Sequence, residues 1–326
     1  MFKALYLRKD DGAFEAGLRE LPPLQPADGQ VLIGVEWSTL NFKDGLAITN
    51  RAPVVRSFPM VPGIDGAGTV LQSRHPDFQP GDRVLTTGAD VGELTWGCLA
   101  QQAAVPAAGV VKLPEGFTAR QAMAVGTAGF TAALAVLALE RHGLQPGGEV
   151  LVTGATGGVG SIAIALLARA GHRVVAATGK PDESGYLREL GASEIIDRAT
   201  LAAPGKPLQR ERWDGVVDAL GSHTLVNALA QTKRDGVVAA CGLAQGGDLP
   251  GTVMPFILRN VTLAGINSVW PARPLREAAW QRVFTALDTA LLDRLTEELP
   301  LSRAEEGARA LMDGKVRGRI VVRIDD

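Results

Sequence analysis

The rhythm of apolar and polar positions changes along the 326 residues. Over residues 1–125, short apolar runs alternate with Gly and Pro punctuation. Phe2–Leu7, Val31–Trp37, Gly66–Gln72 and Asp82–Thr86 read as strands, the second entered through the turn Pro26-Ala-Asp-Gly29. Short strands with frequent turns predict a β-rich domain, a partly closed barrel. Near residue 118 the period lengthens. Thr118–Val125 and Thr127–His142, rich in Ala and Leu, read as helices with Thr118 as an N-cap. From Val150 to about Ile266, strands alternate with helices. The strands fall at Val150–Thr153, Arg173–Thr178, Glu194–Asp197, Gly215–Ala219, Val237–Cys241 and Thr262–Ile266, with helical runs such as Ser184–Leu190 and Thr224–Ala230 between them. This alternation implies a doubly wound parallel sheet with right-handed crossovers. Helices at about Leu275–Leu291 and Ala304–Asp313 precede a last strand, Arg319–Ile324, expected to return to the first domain. The fold class is thus α/β, with residues 1–125 and 268–326 as one discontinuous domain and 126–267 as the other.

Composition narrows the function classes. Hydrophobic residues make up 46%, enough for a sizeable core, and a net charge of −2 argues against a nucleic-acid footprint. No run of about 18 apolar residues occurs, so no membrane span is expected. The opening Met-Phe-Lys-Ala-Leu-Tyr-Leu-Arg reads as a strand and not as a signal peptide, so the expected location is cytoplasmic. Cys98 and Cys241 lie far apart and imply no disulfide framework. His75, His142, His172 and His223 each stand beside a loop or turn signal and read as surface or capping residues. Without C-x-x-C or H-E-x-x-H, no metal site is expected.

The chemistry centres on Val150-Leu-Val-Thr-Gly-Ala-Thr-Gly-Gly-Val-Gly160. Strand, glycine turn and helix open a dinucleotide-binding βαβ unit of the Rossmann kind. Ala155, Gly157 and Gly160 take the G-x-G-x-x-G spacing. Gly157 lets backbone approach a pyrophosphate, Gly160 lets the helix pack close to the strand, and the helix start offers free N–H groups. The second strand ends at Thr178-Gly179-Lys180, where an NAD enzyme usually carries an acid for the ribose 2′-hydroxyl. Thr178, Gly179 and Lys180, with Arg198 after the next strand, suit a 2′-phosphate instead and point to NADP(H). With no His in Pro62-Gly-Ile-Asp-Gly-Ala-Gly68 and Cys98 isolated, zinc catalysis is not expected. Hydride addition to an activated C=C bond, whose conjugated carbonyl takes up the developing charge, suits such a site.

These motifs resemble the zinc-free medium-chain dehydrogenase/reductases, in their quinone oxidoreductase-like branch. The resemblance runs over nearly the full length, through Ser38-Thr-Leu-Asn-Phe-Lys-Asp44, Pro62-Gly-Ile-Asp65, Trp96-Gly97, Gly126-Thr-Ala-Gly-Phe-Thr-Ala132, Thr153–Gly160 and Ala239-Ala-Cys-Gly-Leu-Ala244. Within the branch, Val253-Met-Pro-Phe-Ile-Leu-Arg-Asn260 with Gly265–Ser268 is similar to the bacterial acrylyl-CoA reductases. The resemblance implies a GroES-like substrate domain and NADPH-dependent reduction of acrylyl-CoA to propanoyl-CoA by a homodimer. It also implies cofactor contacts at Gly157, Gly158, Val159, Gly160, Thr178, Gly179, Lys180, Arg198, Leu243, Ile257 and Ser268. Phe42, where relatives usually carry Tyr, packs on the nicotinamide in this reading. Relatives typically have Ser-Gly-Arg at 178–180 and glycine at position 98.

Hydride is then expected at the β-carbon and a proton at the α-carbon. Tyr6 and Tyr186 read as strand and helix residues away from the chemistry, so the proton is expected from water or from a donor near Asn41 or Lys43. Asn41 is the candidate catalytic residue. Arg51, Arg56, Arg259 and Arg273 are candidate partners for the phosphates of coenzyme A. Two other readings remain: an NADPH:quinone oxidoreductase on the same scaffold, and a non-catalytic NADPH-binding protein.

Overall fold

A computed structural model describes residues 1–294 and 296–324. The first stretch holds strands β1 (Phe2–Asp10), β2 (Ala13–Leu21) and β3 (Gln30–Leu40), helix α1 (Phe42–Ile48), strands β4 (Asp65–Ser73), β5 (Arg83–Thr87), β6 (Gln102–Pro106) and β7 (Val110–Lys112), and helix α2 (Ala119–Arg141). The alternating region follows with β8 (Glu149–Val152), α3 (Gly158–Arg169), β9 (Arg173–Thr178), α4 (Ser184–Glu189), β10 (Glu194–Asp197), α5 (Ala199–Ala202), β11 (Trp213–Asp218), α6 (Ser222–Gln231), β12 (Thr232–Ala240), α7 (Met254–Arg259) and β13 (Thr262–Gly265). The chain closes with α8 (Arg273–Ala286), α9 (Thr289–Arg294), β14 (Thr296–Pro300), α10 (Ala304–Met312) and β15 (Arg319–Arg323).

Two units emerge, one of residues 1–127, 269–273 and 288–326, the other of residues 128–268 and 274–287. In the first, β3 is long enough to serve three neighbours. It pairs β4 over most of its length, β6 along Gln30–Gly34 and β15 along Trp37–Leu40. The whole sheet runs β14-β15-β3-β4-β5-β7, with β6 attached to β3. The return of the last strand is therefore observed: β15 lies antiparallel to β3 and parallel to β14. Alternate residues of β3 and β15, among them Val31, Ile33, Ile320 and Val322, enter one apolar core with Leu99 and Val105. The β1–β2 pair is a separate two-stranded sheet.

The second unit is a six-stranded parallel sheet in the order β10-β9-β8-β11-β12-β13. Its strands are near-continuous apolar runs because helices cover the sheet; Val174–Ala177, for instance, are all buried. The order reverses at β8, which places a crevice at the ends of β8 and β11.

Three differences from the sequence reading have clear causes. Residues 119–141 form one continuous helical stretch except at Gly126, whose φ of 52° and ψ of −161° interrupt it, so the expected two helices meet there. α2 is also long and apolar enough to cross a membrane, yet 83% of its most apolar window is buried inside the protein. Residues 274–287, which hold all of α8 but its first residue, group with the second unit, where the sequence reading had placed them in the first. Trp280 stacks on Phe130 of α2 at 5.7 Å, and Arg282 makes a two-pronged ion pair with Glu140 at 2.7 and 2.9 Å. His172, read from sequence as a surface or capping residue, is buried, and burial lowers its pKa.

Candidate active site

In the second unit, β8 delivers the chain into the glycine turn. Gly154 takes φ +60°, and Gly157 is the N-cap of α3. A Cβ on Gly160 would stand 2.4 Å from the Gly154 carbonyl oxygen, so only glycine lets α3 approach the strand this closely. Gly158 and Val159 begin the helix and leave its first N–H groups without intrahelical partners. Asp218, at the end of β11, locks the turn from beneath. It accepts from Thr153 Oγ1 at 2.7 Å and from the Gly221 N–H at 2.8 Å. Burial raises the Asp218 pKa, and these hydrogen bonds oppose the rise.

At the end of β9, Thr178 is buried and its Oγ1 accepts from the Lys180 N–H at 3.0 Å, leaving its own hydroxyl proton to donate. A Cβ at Gly179 would lie 2.4 Å from Arg198 Nε. Glycine here therefore leaves room for the Arg198 guanidinium, which the sequence reading did not foresee. The Arg198 N–H also bonds the Thr178 carbonyl at 3.0 Å. Two cations thus flank the strand tip, and the residues fit a phosphorylated ribose. Leu243, Ile257 and Ser268 belong to the same unit, and the first two are exposed apolar residues.

The first unit holds a buried polar cluster that spans the sequence. Asn41 precedes α1, and its Nδ2 donates to Asp65 Oδ2 at 2.8 Å and to Asp44 Oδ2 at 3.2 Å. Asp44 also accepts from the Asn41 and Ile64 N–H groups, at 2.9 and 3.0 Å. Asp65 accepts from Thr127 N and Oγ1, at 2.6 and 2.5 Å. Arg319, fully buried, donates to the Ala124 carbonyl at 3.1 Å and to Thr39 Oγ1 at 2.8 Å. A Cβ on Gly126 would stand 2.6 Å from Arg319 Nη2 and 2.7 Å from Asp65 Oδ2, so the helix break admits this cluster. Asn41 Oδ1 is buried with no hydrogen-bond partner. Phe42 begins α1 and is half exposed, and Lys43 Nζ is held by Glu93 at 2.8 Å. The sequence reading missed Asp44, Asp65 and Arg319 as a functional group. The available signal was a charge set directly against an apolar run, Asp65 before Gly66–Val70 and Arg319 before Ile320–Val322.

Burial is the main reason the Asp44 pKa rises to about 7, and the nearby Asp65 charge adds to it. The native state therefore holds a proton on Asp44 that the unfolded chain releases near its ordinary value. Stability from this group is fully present below about pH 4 and is lost as pH rises through 7. Asp44→Asn is expected to flatten the decline in unfolding free energy between pH 5 and 7, whose steepest contribution is about 1.4 kcal/mol per pH unit. Urea titrations of both proteins at each pH measure it; parallel curves would contradict a buried, protonated Asp44.

The model described as "Alcohol dehydrogenase GroES-like domain" matches residues 27–115, and "Zinc-binding dehydrogenase" matches residues 158–284. Acrylyl-CoA reductase AcuI of Ruegeria pomeroyi is 47% identical over 329 residues, covering all of both chains. The probable acrylyl-CoA reductase AcuI of Escherichia coli is 46% identical over 99% of this chain and all of that protein. The chain belongs to the medium-chain dehydrogenase/reductase family. The yhdH oxidoreductase from Salmonella enterica, solved in complex with NADP, superposes with a TM-score of 0.96 at 46% identity, over 99% of this chain and all of that one. The family's fold, a GroES-like domain with a Rossmann sheet, is thus the fold of this chain.

The word zinc in one family description calls for a fit test. Among the described residues, no group of three or more His, Cys, Asp or Glu is placed to hold a metal ion. Asp44 and Asp65 fill their oxygens with N–H and O–H donors. Burial, chiefly, pushes the Cys98 thiol far above its usual range. These residues do not fit zinc.

Of the arginines read as coenzyme A partners, Arg259 donates to the carbonyls of Ala230 and Gln209 and pairs with Glu211, and Arg273 donates to the Val110 carbonyl. Both are engaged within the fold. Arg51 pairs with Asp313 at an exposed position.

Proposed function

We propose that this protein reduces the C=C bond of a short enoyl-CoA with NADPH, converting acrylyl-CoA to propanoyl-CoA. The observation that carries this reading is 46–47% identity, over the whole chain, to acrylyl-CoA reductases. The pair Lys180 and Arg198 around Gly179 supports the choice of NADPH, because Thr178 stands where an acid would repel a 2′-phosphate. Bound NADPH supplies the hydride that reaches the β-carbon of the thioester.

The chain's own residues hold the pyrophosphate at Gly157–Gly160 and the ribose phosphate at Thr178–Lys180 and Arg198. Leu243, Ile257 and Ser268, in the same unit, complete the cofactor contacts in this reading. Asn41 spends both amide hydrogens on carboxylates. It therefore positions the start of α1 and does not act as the acid. The proton at the α-carbon comes from water or from Lys43, whose ammonium Glu93 holds. Tyrosine is not the acid: Tyr186 donates its hydroxyl proton to Ser161 Oγ in a buried contact, and Tyr6 sits edge-on to Trp96.

The working form in this proposal is a cytoplasmic homodimer with no nucleic-acid or membrane partner. β13 is an edge strand of the second sheet, and exposed Val253 and Leu258 lie just before it, as suits a self-pairing face.

Steady-state rates with acrylyl-CoA, longer enoyl-CoA esters and a small quinone, each with NADPH and NADH, test the reading. The expected result is the highest kcat/KM for acrylyl-CoA with NADPH, and transfer of deuterium from [4-²H]NADPH to the β-carbon. Faster turnover of the quinone, or deuterium at the α-carbon, would overturn it.

A further inference from the structure

A coenzyme A thioester carries its negative charge at the far end of a long arm, on a diphosphate and a 3′-phosphate. An enzyme for such a substrate needs cations well away from the reacting carbons. We propose that the groove of the first unit lined by Lys9, Asn50, Arg51 and Phe58 binds this phosphorylated nucleotide, with Arg56 as a third cation. The proposal rests on the acyl-CoA reading above and names where that substrate's nucleotide end is held.

The groove is a cavity of about 350 Å³, formed where the end of β1 meets the loop after α1. Lys9 and Arg56 are exposed and make no ion pair among the described residues. The Arg51 partner, Asp313, lies at an exposed position from which a phosphate can displace it. Arg56 is two residues from Phe58 on the same loop, anchored by its N–H to the Glu93 carbonyl at 3.1 Å. Phe58 is itself held edge-on by Phe14, with ring centroids 6.1 Å apart, so an aromatic ring is fixed in the groove wall for the adenine. The candidate acids nearby are engaged or few: Asp10 is bound to Arg8, and Asp11 stands at the hairpin tip.

Arg259 and Arg273, the other arginines considered for this role, are occupied with backbone carbonyls.

The test pairs binding with a truncated substrate. Lys9→Glu, Arg56→Glu and the double variant are titrated with adenosine 3′,5′-bisphosphate, with NADP+ saturating so that the cofactor site is filled. The same proteins are assayed with acrylyl-CoA and with acryloyl-N-acetylcysteamine, which lacks the nucleotide. The expected results are a Kd for the bisphosphate about tenfold higher per reversed charge, and a roughly 100-fold collapse in the preference for acrylyl-CoA in the double variant. Arg210→Glu, in a loop of the second unit, serves as the charge-matched control and is expected to keep the wild-type preference. Should either reversal unfold the protein, Lys9→Gln and Arg56→Gln repeat the titration with smaller expected shifts in the same direction. A double variant that binds the bisphosphate as the wild type does would overturn the site. Bisphosphate binding lost with these charges, in a wild-type protein that turns over no enoyl-CoA, would uphold the site and overturn the reductase reading instead.

Discussion

Arg319→Met is expected to lower the unfolding free energy by about 3–5 kcal/mol, because it leaves the buried Asp65 carboxyl without its nearby cation. Burial pulls the Arg319 pKa down, and the nearby acids, Asp65 first, oppose that fall. Removing the guanidinium also strips the Ala124 carbonyl and Thr39 of a donor, next to the break at Gly126. Asp65→Asn added to Arg319→Met should recover part of the loss, since an amide needs no counter-charge. Urea denaturation of the two single variants and the double closes the cycle. A single-variant loss below about 1 kcal/mol would show that the cluster does not depend on this charge.

The second large effect concerns cofactor choice. Lys180→Ala with Arg198→Ala is expected to raise the KM for NADPH about 100-fold while changing the KM for NADH little. Charge-assisted contacts to phosphate are worth about 1.5–3 kcal/mol each, and exposure of Arg198 argues for the lower end. Removing both should therefore erase most of the preference for the phosphorylated cofactor. Equal losses with NADPH and NADH would place the two cations somewhere other than the 2′-phosphate.

Legibility from sequence followed how local each feature is. The turn at 153–160 could be read because strand, glycines and helix are contiguous and each residue has one local task. The parallel strands were legible as unbroken apolar runs. By contrast, β2 has exposed Glu and Arg along most of its length and rests on pairing with β1, so it carries no apolar rhythm of its own. β7 is three residues long, and β14 buries one residue fully. α8 looks like any amphipathic segment until Trp280 finds Phe130 some 150 positions away in the chain. The buried cluster was the hardest to foresee. Asn41, Asp44, Asp65, Thr127 and Arg319 are each unremarkable in their own stretch, and their meaning arises once β15 returns to β3. Gly179 was read as leaving room for a 2′-phosphate, and in the fold the Arg198 side chain lies against it.

The state of the two cysteines bears on life with a reactive substrate. An unsubstituted enoyl thioester alkylates thiolates at the same carbon that accepts hydride. Cys98 is wholly enclosed, and Cys241, its pKa pushed up to about 12 mainly by burial, gives its S–H to the Asp218 carbonyl. Both sulfurs stay protonated at neutral pH and are poor nucleophiles. A protein built this way tolerates such an electrophile.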